Sequence, residues 1–308
     1  MRRTISIKLL LLVCFYFSLG INGLISKQNE PIPVVMFHGM GDTAYGSIIV
    51  IKKVLESEIP NIYVTSIRNG NNVEEDFISG FIGNLNDQVS SACEIIRNDP
   101  KLQSGYNSIG FSQGGQILRA IAQRCPNPPM RNLISLGGQH QGVYGLPHCF
   151  GDTNQTNYLC NLVRQYIRLG AYTPAIQNMV VQAEFWHDPL KEKEYQANSI
   201  FLADINNERQ PRNQSYKDNL LQLKNLVLVK FTKETIVEPK ESEWFEFYKP
   251  GQANEIVPLR QSPIYTEDWL GLKQLDQSGR LKLLAIDGDH LRFNMTWFRA
   301  QIVKKFLL

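Results

Sequence analysis

A serine between two glycines is the residue of this chain whose surroundings most clearly suggest covalent chemistry. Ser112 is the centre of Gly110-Phe-Ser-Gln-Gly114, with a strand-like run before it and a helical pattern after it. Glycines two positions before and after a serine permit a sharp strand-to-helix turn, because side chains there would collide across it. Such a turn lifts the hydroxyl above the sheet, where a base can reach it. The pattern predicts a nucleophile, and an ordinary glycine-rich turn is the alternative.

We assign the base that this serine needs to His290. After a nucleophilic serine on such a turn, the acid and then the histidine follow in chain order, each just beyond a strand. Of the five histidines, His290 follows the last predicted strand, residues 281–286. It would take the proton from Ser112 and return it to the leaving group. His38 ends the first predicted strand, before the serine, which favours a structural hydrogen bond for it.

The acid that would orient this histidine is expected after the strand predicted at residues 225–231. Glu234 and Glu238 are the candidates in the segment that follows, and we favour Glu238. Its carboxylate would hold the imidazole in the tautomer that can accept the serine proton. A surface glutamate without a role is the alternative for Glu238.

Two backbone amides are expected to stabilise the oxyanion that forms when the serine attacks a carbonyl carbon. One is the N–H of Gln113, the residue after the nucleophile. The other is the N–H of Met40, in the loop His38-Gly-Met-Gly-Asp42 after the first strand.

This loop also matches a loose dinucleotide fingerprint, but the next strand ends without the acidic residue that would bind a ribose. A nucleotide site is therefore not expected.

The elements that must position these groups alternate along the chain. Short β-rich runs are followed by stretches of helical spacing, which is typical of a mostly parallel, doubly wound α/β sheet. The strands are predicted at residues 32–37, 63–67, 106–110, 132–137, 225–231 and 281–286.

The alternation of strands and helices stops between residues 138 and 224. This stretch is too long for a simple connection, so we expect a mainly helical inserted subdomain over residues 139–224. It would lie at the carboxyl ends of the strands, where sheets of this kind bind ligands. Residues 27–308 would then form one domain, with the insertion as a lid.

Residues 1–26 have the organisation of a secretory signal peptide, with cleavage expected between about 20 and 26. The apolar run at residues 9–19 is much shorter than the roughly twenty residues that a bilayer core requires, so no transmembrane anchor is expected after its removal. The chain has 32 Lys and Arg against 29 Asp and Glu. Loss of Arg2, Arg3 and Lys8 with the leader makes these numbers equal, which excludes the basic footprint of a nucleic-acid-binding protein.

The cysteines and sequons agree with secretion. Once Cys14 leaves with the leader, an even number of cysteines remains, compatible with up to two disulfides. They are Cys93, Cys125, Cys149 and Cys160. A zinc site is the alternative, but no CxxC or HExxH spacing occurs, so no metal is expected. Three Asn-X-Ser/Thr tripeptides permit N-glycosylation. They begin at Asn154, Asn213 and Asn294.

Residues 31–308 resemble the palmitoyl-protein thioesterases, a family of lysosomal α/β-hydrolases. The number and length of the matching segments make the resemblance specific, whereas the first two alone would reach only the broad hydrolase superfamily. The segments are HGMGD (38–42), GFSQGGQ (110–116), QRCPNPPM (123–130), GGQHQGVYGLPHC (137–149), QAEFWHDP (182–189), FLADIN (201–206), SEWFEFY (242–248) and GDH (288–290).

The resemblance implies hydrolysis of the thioester that joins palmitate to cysteine in S-palmitoylated proteins during lysosomal degradation, and also cleavage of palmitoyl-CoA. Ser112 would be the nucleophile and His290 the base, with the amides of Met40 and Gln113 as the oxyanion hole. No metal or organic cofactor is implied. The location would be the lysosome, reached through the secretory pathway, with secretion also open. The family carries aspartate at the acid position, in a segment like Ile-Val-Asp-Pro, where this chain has Glu238.

The resemblance also implies the disulfides Cys93–Cys125 and Cys149–Cys160, and an acyl groove walled by the insertion. Candidate groove residues, which could equally form the core of the insertion, are Phe185, Trp186, Ile200 and Phe201. Two alternative functions stay open. One is an acyl-CoA or carboxylic-ester hydrolase on the same scaffold, and the other is a lipid-binding protein with a degenerate triad.

Overall fold

The main sheet consists of parallel strands in the order β2-β1-β3-β4-β5-β8. The computed structural model describes residues 30–145 and 154–308. Within them a second, antiparallel pair is formed by β6 and β7. The strands are β1 (Val34–Phe37), β2 (Val64–Ser66), β3 (Tyr106–Phe111), β4 (Met130–Leu136), β5 (Asn225–Phe231), β6 (Phe247–Tyr248), β7 (Ile256–Val257) and β8 (Leu281–Ile286).

The central strands are almost entirely buried because helices cover both faces of the sheet. Alternate side chains of β1 enter different cores: Val35 and Phe37 join the core on one face, and Val34 and Met36 join the core on the other. β1 pairs with β3 through Phe37 and Gly110 at their carboxyl ends.

The helices divide between the two faces. α3 and α4 pack on one face, whereas α1 and the C-terminal helical segment pack on the other. The helices are α1 (Ile48–Glu58), α2 (Val73–Ser79), α3 (Leu85–Asn98), α4 (Gln113–Arg124), α5 (Asn154–Gly170), α6 (Pro174–Gln177), α7 (Val181–Glu184), α8 (Glu192–Asn198), α9 (Leu202–Ile205), α10 (Gln214–Leu220), α11 (Pro263–Thr266), α12 (Leu272–Gln277) and α13 (Met295–Phe298), which a π-helical segment (Arg299–Leu307) continues. Short 3₁₀ turns cover Pro189–Lys191, Lys240–Trp244 and Leu259–Gln261. The parallel main sheet with helices on both faces confirms the predicted doubly wound α/β class.

Helices α5 to α10 occupy the connection between β4 and β5. They have a small core of their own, in which Val163 and Val180 pack against Phe81 of the main domain. Polar contacts tie this insertion to the main domain; for example, Glu184 accepts a hydrogen bond from the Leu85 amide, and Arg119 donates one to the Ile205 carbonyl. The large helical insertion between strands, which the sequence indicated, is therefore present.

One disulfide joins two helices that pack on the same face. Cys93 of α3 and Cys125 at the end of α4 are bonded, with their Cα atoms 6.0 Å apart, which confirms the first predicted pair. Cys149 and the leader, residues 1–26, lie outside the described residues, so the second pair and the signal peptide stay predictions. Within residues 30–145 and 154–308, no helix combines the length and apolar character needed to cross a membrane.

Candidate active site

Ser112 occupies a strained turn between β3 and α4. Its backbone angles are φ 52° and ψ −122°, a conformation that costs a non-glycine residue on the order of 1–3 kcal/mol. The turn is tight enough that a Cβ on Gly110 would lie 2.5 Å from the Gly115 backbone, and one on Gly114 would overlap the Phe37 carbonyl. Both glycines are therefore required, as the pentapeptide predicted.

The serine lies where the strand order reverses. β1 leads outward to β2, and the chain then returns to the other side of β1 to form β3. The loops that follow β1 and β3 therefore meet at the carboxyl edge, where sheets of this class bind ligands. A Cβ on Gly39 would come within 3.0 Å of the Ser112 Cβ, so the loop after β1 lies directly against the nucleophile.

The two amides predicted for the oxyanion hole lie beside the serine. Met40 and Gln113 line the same small cavity as Ser112. Gln113 is the first residue of α4, so its N–H has no acceptor within the helix and points out of the positive end of the helix dipole. This placement suits a site where negative charge develops on a substrate oxygen.

A buried carboxylate holds the loop that carries Met40. Asp76 of α2 accepts hydrogen bonds from His38 Nε2 at 3.0 Å, from the Ala44 amide at 2.8 Å and from the Asn69 amide at 2.7 Å. Burial disfavours the charged form, but these hydrogen bonds and the charge of His38 outweigh burial and lower the pKa of Asp76. The structural hydrogen bond expected for His38 is confirmed.

His290 follows β8 in a short turn and is only 1% exposed. It lines a cavity together with Ser112. Its Nδ1 lies 2.5 Å from Glu234 Oε2, a charge-assisted hydrogen bond between two side chains that are inaccessible to solvent. Because β5 and β8 are neighbours, with Phe231 opposite Ile286, the residues after the two strands are brought together.

The carboxylate that contacts His290 is Glu234, not the favoured Glu238. Glu234 lies three residues beyond β5, and its Oε1 accepts hydrogen bonds from the amides of Ile236 and Val237. These bonds close a turn that holds the carboxylate at the sheet edge. Glu238 lies beyond this turn, with an exposed side chain whose carboxylate packs against Gly145. The preference for Glu238 is therefore corrected: the motif match selected a residue that the turn carries past the histidine.

A second buried glutamate, Glu243, lies behind this pair and was not predicted. Its Oε2 accepts a hydrogen bond from the Phe231 amide at 2.8 Å, and its Oε1 is 3.9 Å from His290 Nδ1. Burial, then the hydrogen bond and the charge of Glu234, raise the pKa of Glu243 well above its usual value. A carboxyl group with its pKa raised in this way favours its neutral form, in which it can donate a hydrogen bond to Glu234. It lies within the segment SEWFEFY, whose resemblance to the family was the available signal.

The charge state of Glu234 follows from these neighbours. Burial alone would raise its pKa, but hydrogen bonds from His290, Glu243 and the Val237 amide, with the charge of His290, outweigh burial and lower it. Glu234 is therefore the ionised member of the carboxyl pair. The side chains of Glu234, Glu243 and His290 are also close enough together to consider a cation site. However, His290 Nδ1 and Glu234 Oε2 point at each other at hydrogen-bond distance, a geometry that favours proton chemistry.

Ser112 lines two cavities, and a third, lined by residues of the insertion, shares a wall residue with one of them. The histidine-side cavity has a volume of about 410 Å³ and is lined by Ser112, His290 and the residues that follow it. The amide-side cavity, about 30 Å³, is lined by Ser112, Gln113 and Phe185 but not by His290 among its described residues. The insertion cavity, about 510 Å³, is lined by Trp186 and shares Ile167 with the amide-side cavity.

Two of the four predicted groove residues line a cavity, and a third belongs to the core. Phe185 lines the amide-side cavity and Trp186 the insertion cavity. Ile200 and Phe201 are not among the described residues that line these three cavities. Phe201 is fully buried in the main core, beneath the Arg124 guanidinium, and the Ile200 amide donates to Gln177.

The sequons differ in how far the structure describes them. Asn213 and Asn294 are exposed and cap short helices, accepting hydrogen bonds from the amides of Ser215 and Trp297. Their positions leave room for a glycan, and modification stays a prediction. The side chain of Asn154 lies outside the described residues.

Comparison with known proteins gives extensive matches. Residues 33–290 match the sequence model of the family described as palmitoyl protein thioesterase. Palmitoyl-protein thioesterase 1 of Caenorhabditis elegans is 52% identical over 284 residues, covering 92% of this chain and 94% of that protein. Palmitoyl-protein thioesterase 3 of Dictyostelium discoideum is 40% identical and covers 81% of each chain. Lysosomal thioesterase PPT2 of Mus musculus is 29% identical, covering 81% of this chain and 78% of that protein.

Proposed function

Because the chain belongs to the palmitoyl protein thioesterase family and is a thioester hydrolase, we propose that it removes long fatty acyl groups, palmitate among them, from cysteine in S-acylated proteins. The observation that supports this most directly is the buried contact between His290 and Glu234, which lies beside the cavity that His290 shares with the strained Ser112. Palmitoyl-CoA, with the same acyl thioester bond, is proposed as a second substrate.

In the proposed mechanism, Ser112 Oγ attacks the thioester carbonyl carbon while His290 Nε2 takes the hydroxyl proton. The amides of Met40 and Gln113 stabilise the resulting oxyanion, each donor contributing about 3–4 kcal/mol. The carbon–sulfur bond then breaks, His290 returns the proton to the cysteine sulfur, and an acyl ester remains on Ser112. Water, activated by the same imidazole, hydrolyses that ester and releases the fatty acid. Glu234 stabilises the imidazolium in both steps.

A thioester suits this set of residues because its leaving group is undemanding. A cysteine thiol has a pKa of about 8.5, so the thiolate departs with little help from a general acid. Attack and oxyanion stabilisation then account for most of the rate enhancement. These are the steps that Ser112, Met40 and Gln113 serve.

We propose that the acyl chain leaves the serine through the amide-side cavity and continues toward the insertion cavity. Val143, Ile167 and Phe185 provide apolar wall along this direction. At about 0.8 kcal/mol per buried methylene, a fourteen-carbon stretch gains roughly 11 kcal/mol before the cost of ordering it. An apolar path of this length would explain recognition of the lipid when the attached peptide varies.

We further propose that the enzyme acts in the lysosome. The predicted leader and sequons support the secretory route, and the matching mouse protein is named a lysosomal thioesterase.

The lipid-binding alternative rested on Glu238 as a weak acid partner. Because Glu234 makes the contact with His290, the triad has no degenerate member to motivate that alternative.

The proposal is tested with a palmitoyl-cysteine peptide under rapid quench. We expect a burst of released peptide equal to the enzyme concentration, an acyl group on the peptide that contains Ser112, and loss of both in Ser112→Ala. The exposed Ser104→Ala variant serves as the matched control and should retain the burst. Hydrolysis that persists in Ser112→Ala, or a preference for oxygen esters over the thioester of the same acid, would contradict the proposal.

A further inference from the structure

The histidine-side cavity plays no part in the acyl path proposed above. We infer that it binds an apolar side chain next to the acylated cysteine, so that the enzyme reads the peptide as well as the lipid. This inference rests on the proposed function, because it assigns the leaving-group side of the same site.

The side on which the leaving group lies follows from the positions of the catalytic groups. In the tetrahedral intermediate the carbon carries the serine oxygen, the oxyanion, the acyl chain and the cysteine sulfur. The imidazole that protonates the sulfur must face it. His290 lines the histidine-side cavity, whereas Gln113 lines the amide-side cavity. The sulfur, and the peptide attached to it, therefore point into the histidine-side cavity.

The walls of this cavity are apolar. Ile48 and Ile51 of α1 form one side, and Leu291, Phe293 and Met295 form the other. Its volume of about 410 Å³ lies within the range of about 300–1,000 Å³ typical of small-ligand sites. Such a surface binds an aliphatic or aromatic side chain by excluding water from both.

The polar groups at the rim argue against a phosphate-bearing leaving group as the preferred occupant. Asp42 accepts hydrogen bonds from the amide and hydroxyl of Ser47, so these rim groups are already engaged with each other. Among the described residues that line the cavity, Arg292 is the one cation. The phosphates of coenzyme A would need more than one such partner, whereas an apolar peptide side chain needs none.

The test uses two palmitoyl-cysteine peptides of equal length, kept below their critical micelle concentrations. One has leucine on each side of the cysteine and the other has serine. Burial of a leucine side chain predicts a kcat/KM that is about tenfold or more higher for the leucine peptide. A palmitoyl thioester of N-acetylcysteamine, which has no peptide, reports the acyl side alone.

A substitution at the cavity mouth identifies the site of this preference. Val50 of α1 lines the cavity and is 51% exposed, so a larger side chain can be introduced there without disturbing the core. Val50→Trp should lower the leucine-to-serine ratio of kcat/KM to about one, because the indole fills the mouth. Lys53→Trp places the same side chain on the exposed face of the same helix, and should keep the ratio of the unaltered enzyme.

Three results would overturn the inference, and they separate it from the proposed function. Equal kcat/KM for the two peptides, with N-acetylcysteamine thioester hydrolysed, would reject the leaving-group pocket and leave the proposed function standing. A Val50→Trp variant that prefers shorter acyl chains on N-acetylcysteamine would place the acyl chain in this cavity instead. Failure of the unaltered enzyme to hydrolyse any of the three thioesters would reject the proposed function and this inference with it.

Discussion

At the scale of single residues, two glutamates of one loop have opposite environments. Glu234 is inaccessible to solvent and bonded to His290 and to two backbone amides, whereas Glu238, four positions later, is exposed. A carboxylate orients an imidazole only if it is held rigidly at Nδ1. The environment, rather than the residue type, therefore selects the acid of the proposed triad.

Replacement of each glutamate by glutamine should separate their roles. Glu234→Gln is expected to lower kcat by about 10³–10⁴-fold, because an amide can donate to Nδ1 and so favour the wrong imidazole tautomer. Glu238→Gln is expected to change kcat little. Steady-state hydrolysis of a palmitoyl-cysteine peptide, with circular dichroism as a check on folding, measures both. Retained activity in Glu234→Gln together with loss in Glu238→Gln would restore the assignment that the sequence favoured.

Glu243 is expected to act as a positioning residue through Glu234. Its donated hydrogen bond helps to lower the pKa of Glu234, so Glu243→Leu should raise that pKa and move the acid limb of the kcat/KM profile to higher pH. Glu243→Gln can still donate to Glu234 and accept from the Phe231 amide, so it should restore the original limb. A pH profile measured for both variants checks this.

A purely structural role for Glu243 would give a different pattern. Both variants would then lose stability, and the acid limb would stay where it is in the unaltered enzyme. The profile therefore distinguishes positioning from packing.

At the scale of elements, the site depends on how α2 supports the loop after β1. Asp76 connects three segments of backbone around Met40 through His38, Ala44 and Asn69. The oxyanion donor on Met40 thus depends on a residue in a different helix. This arrangement explains why a buried carboxylate lies near a site in which it takes no chemical part.

Asp76→Asn is expected to lower kcat by about 10- to 100-fold with a smaller change in KM. Asparagine replaces one acceptor oxygen by a donor, so the Ala44 or Asn69 amide loses its partner and the loop shifts. Complete loss of one oxyanion donor lowers kcat by about 10²–10³-fold, so a displaced donor should cost less. The exposed Glu74→Gln, in the same helix, is the control for loss of a negative charge. An effect confined to KM would show that the loop binds substrate rather than stabilising the oxyanion.

At the scale of the whole molecule, the insertion is joined to the main domain through buried polar groups whose ionisation depends on pH. Glu184 in the insertion accepts a hydrogen bond from Leu85 at the start of α3, and burial raises the pKa of Glu184 to about 9. Within the insertion, burial also raises the pKa of Glu208, which accepts hydrogen bonds from Tyr195 and Asn206, to about 7. These carboxyls are neutral in an acidic compartment, which agrees with the lysosomal proposal.

The sign of the resulting pH dependence follows from proton binding. Between its usual pKa of 4.5 and about 9, Glu184 holds a proton in the folded state and has lost it in the unfolded state. The free energy of unfolding therefore decreases with rising pH across this window, by up to about 1.4 kcal/mol per pH unit for one proton. This contribution is fully present below 4.5 and is lost as the pH rises.

Glu184→Gln should remove this contribution and flatten the dependence of stability on pH. Urea unfolding at about pH 5.5 and about pH 7.5 measures the change, with the exposed Glu194→Gln as the matched control. The difference in unfolding free energy between the two pH values should be smaller in Glu184→Gln than in the control. Equal differences in the two variants would mean that Glu184 is ionised in the folded protein.

Local signals in the sequence determined the fold class, the serine and the histidine. The glycines around Ser112 predict the tight turn, and the alternation of strands and helices predicts a parallel sheet covered on both faces. His290 could be assigned because chain order in this arrangement places it after the last strand. Each of these features leaves a pattern within one segment or in the order of segments, so the sequence suffices to predict it. This holds even where the contact is distant, as between Gly114 and the Phe37 carbonyl.

Tertiary structure alone decided the acid, its neutral partner and the two sides of the site. Whether Glu234 or Glu238 reaches His290 depends on a turn closed by backbone hydrogen bonds, and Glu243 arrives from a segment beyond that turn. The histidine-side cavity forms between α1 and the residues after β8, which are more than two hundred positions apart in the chain. No local pattern in the sequence predicts that these two segments come together, because each segment has the same apolar residues whether it lines a cavity or packs into a core.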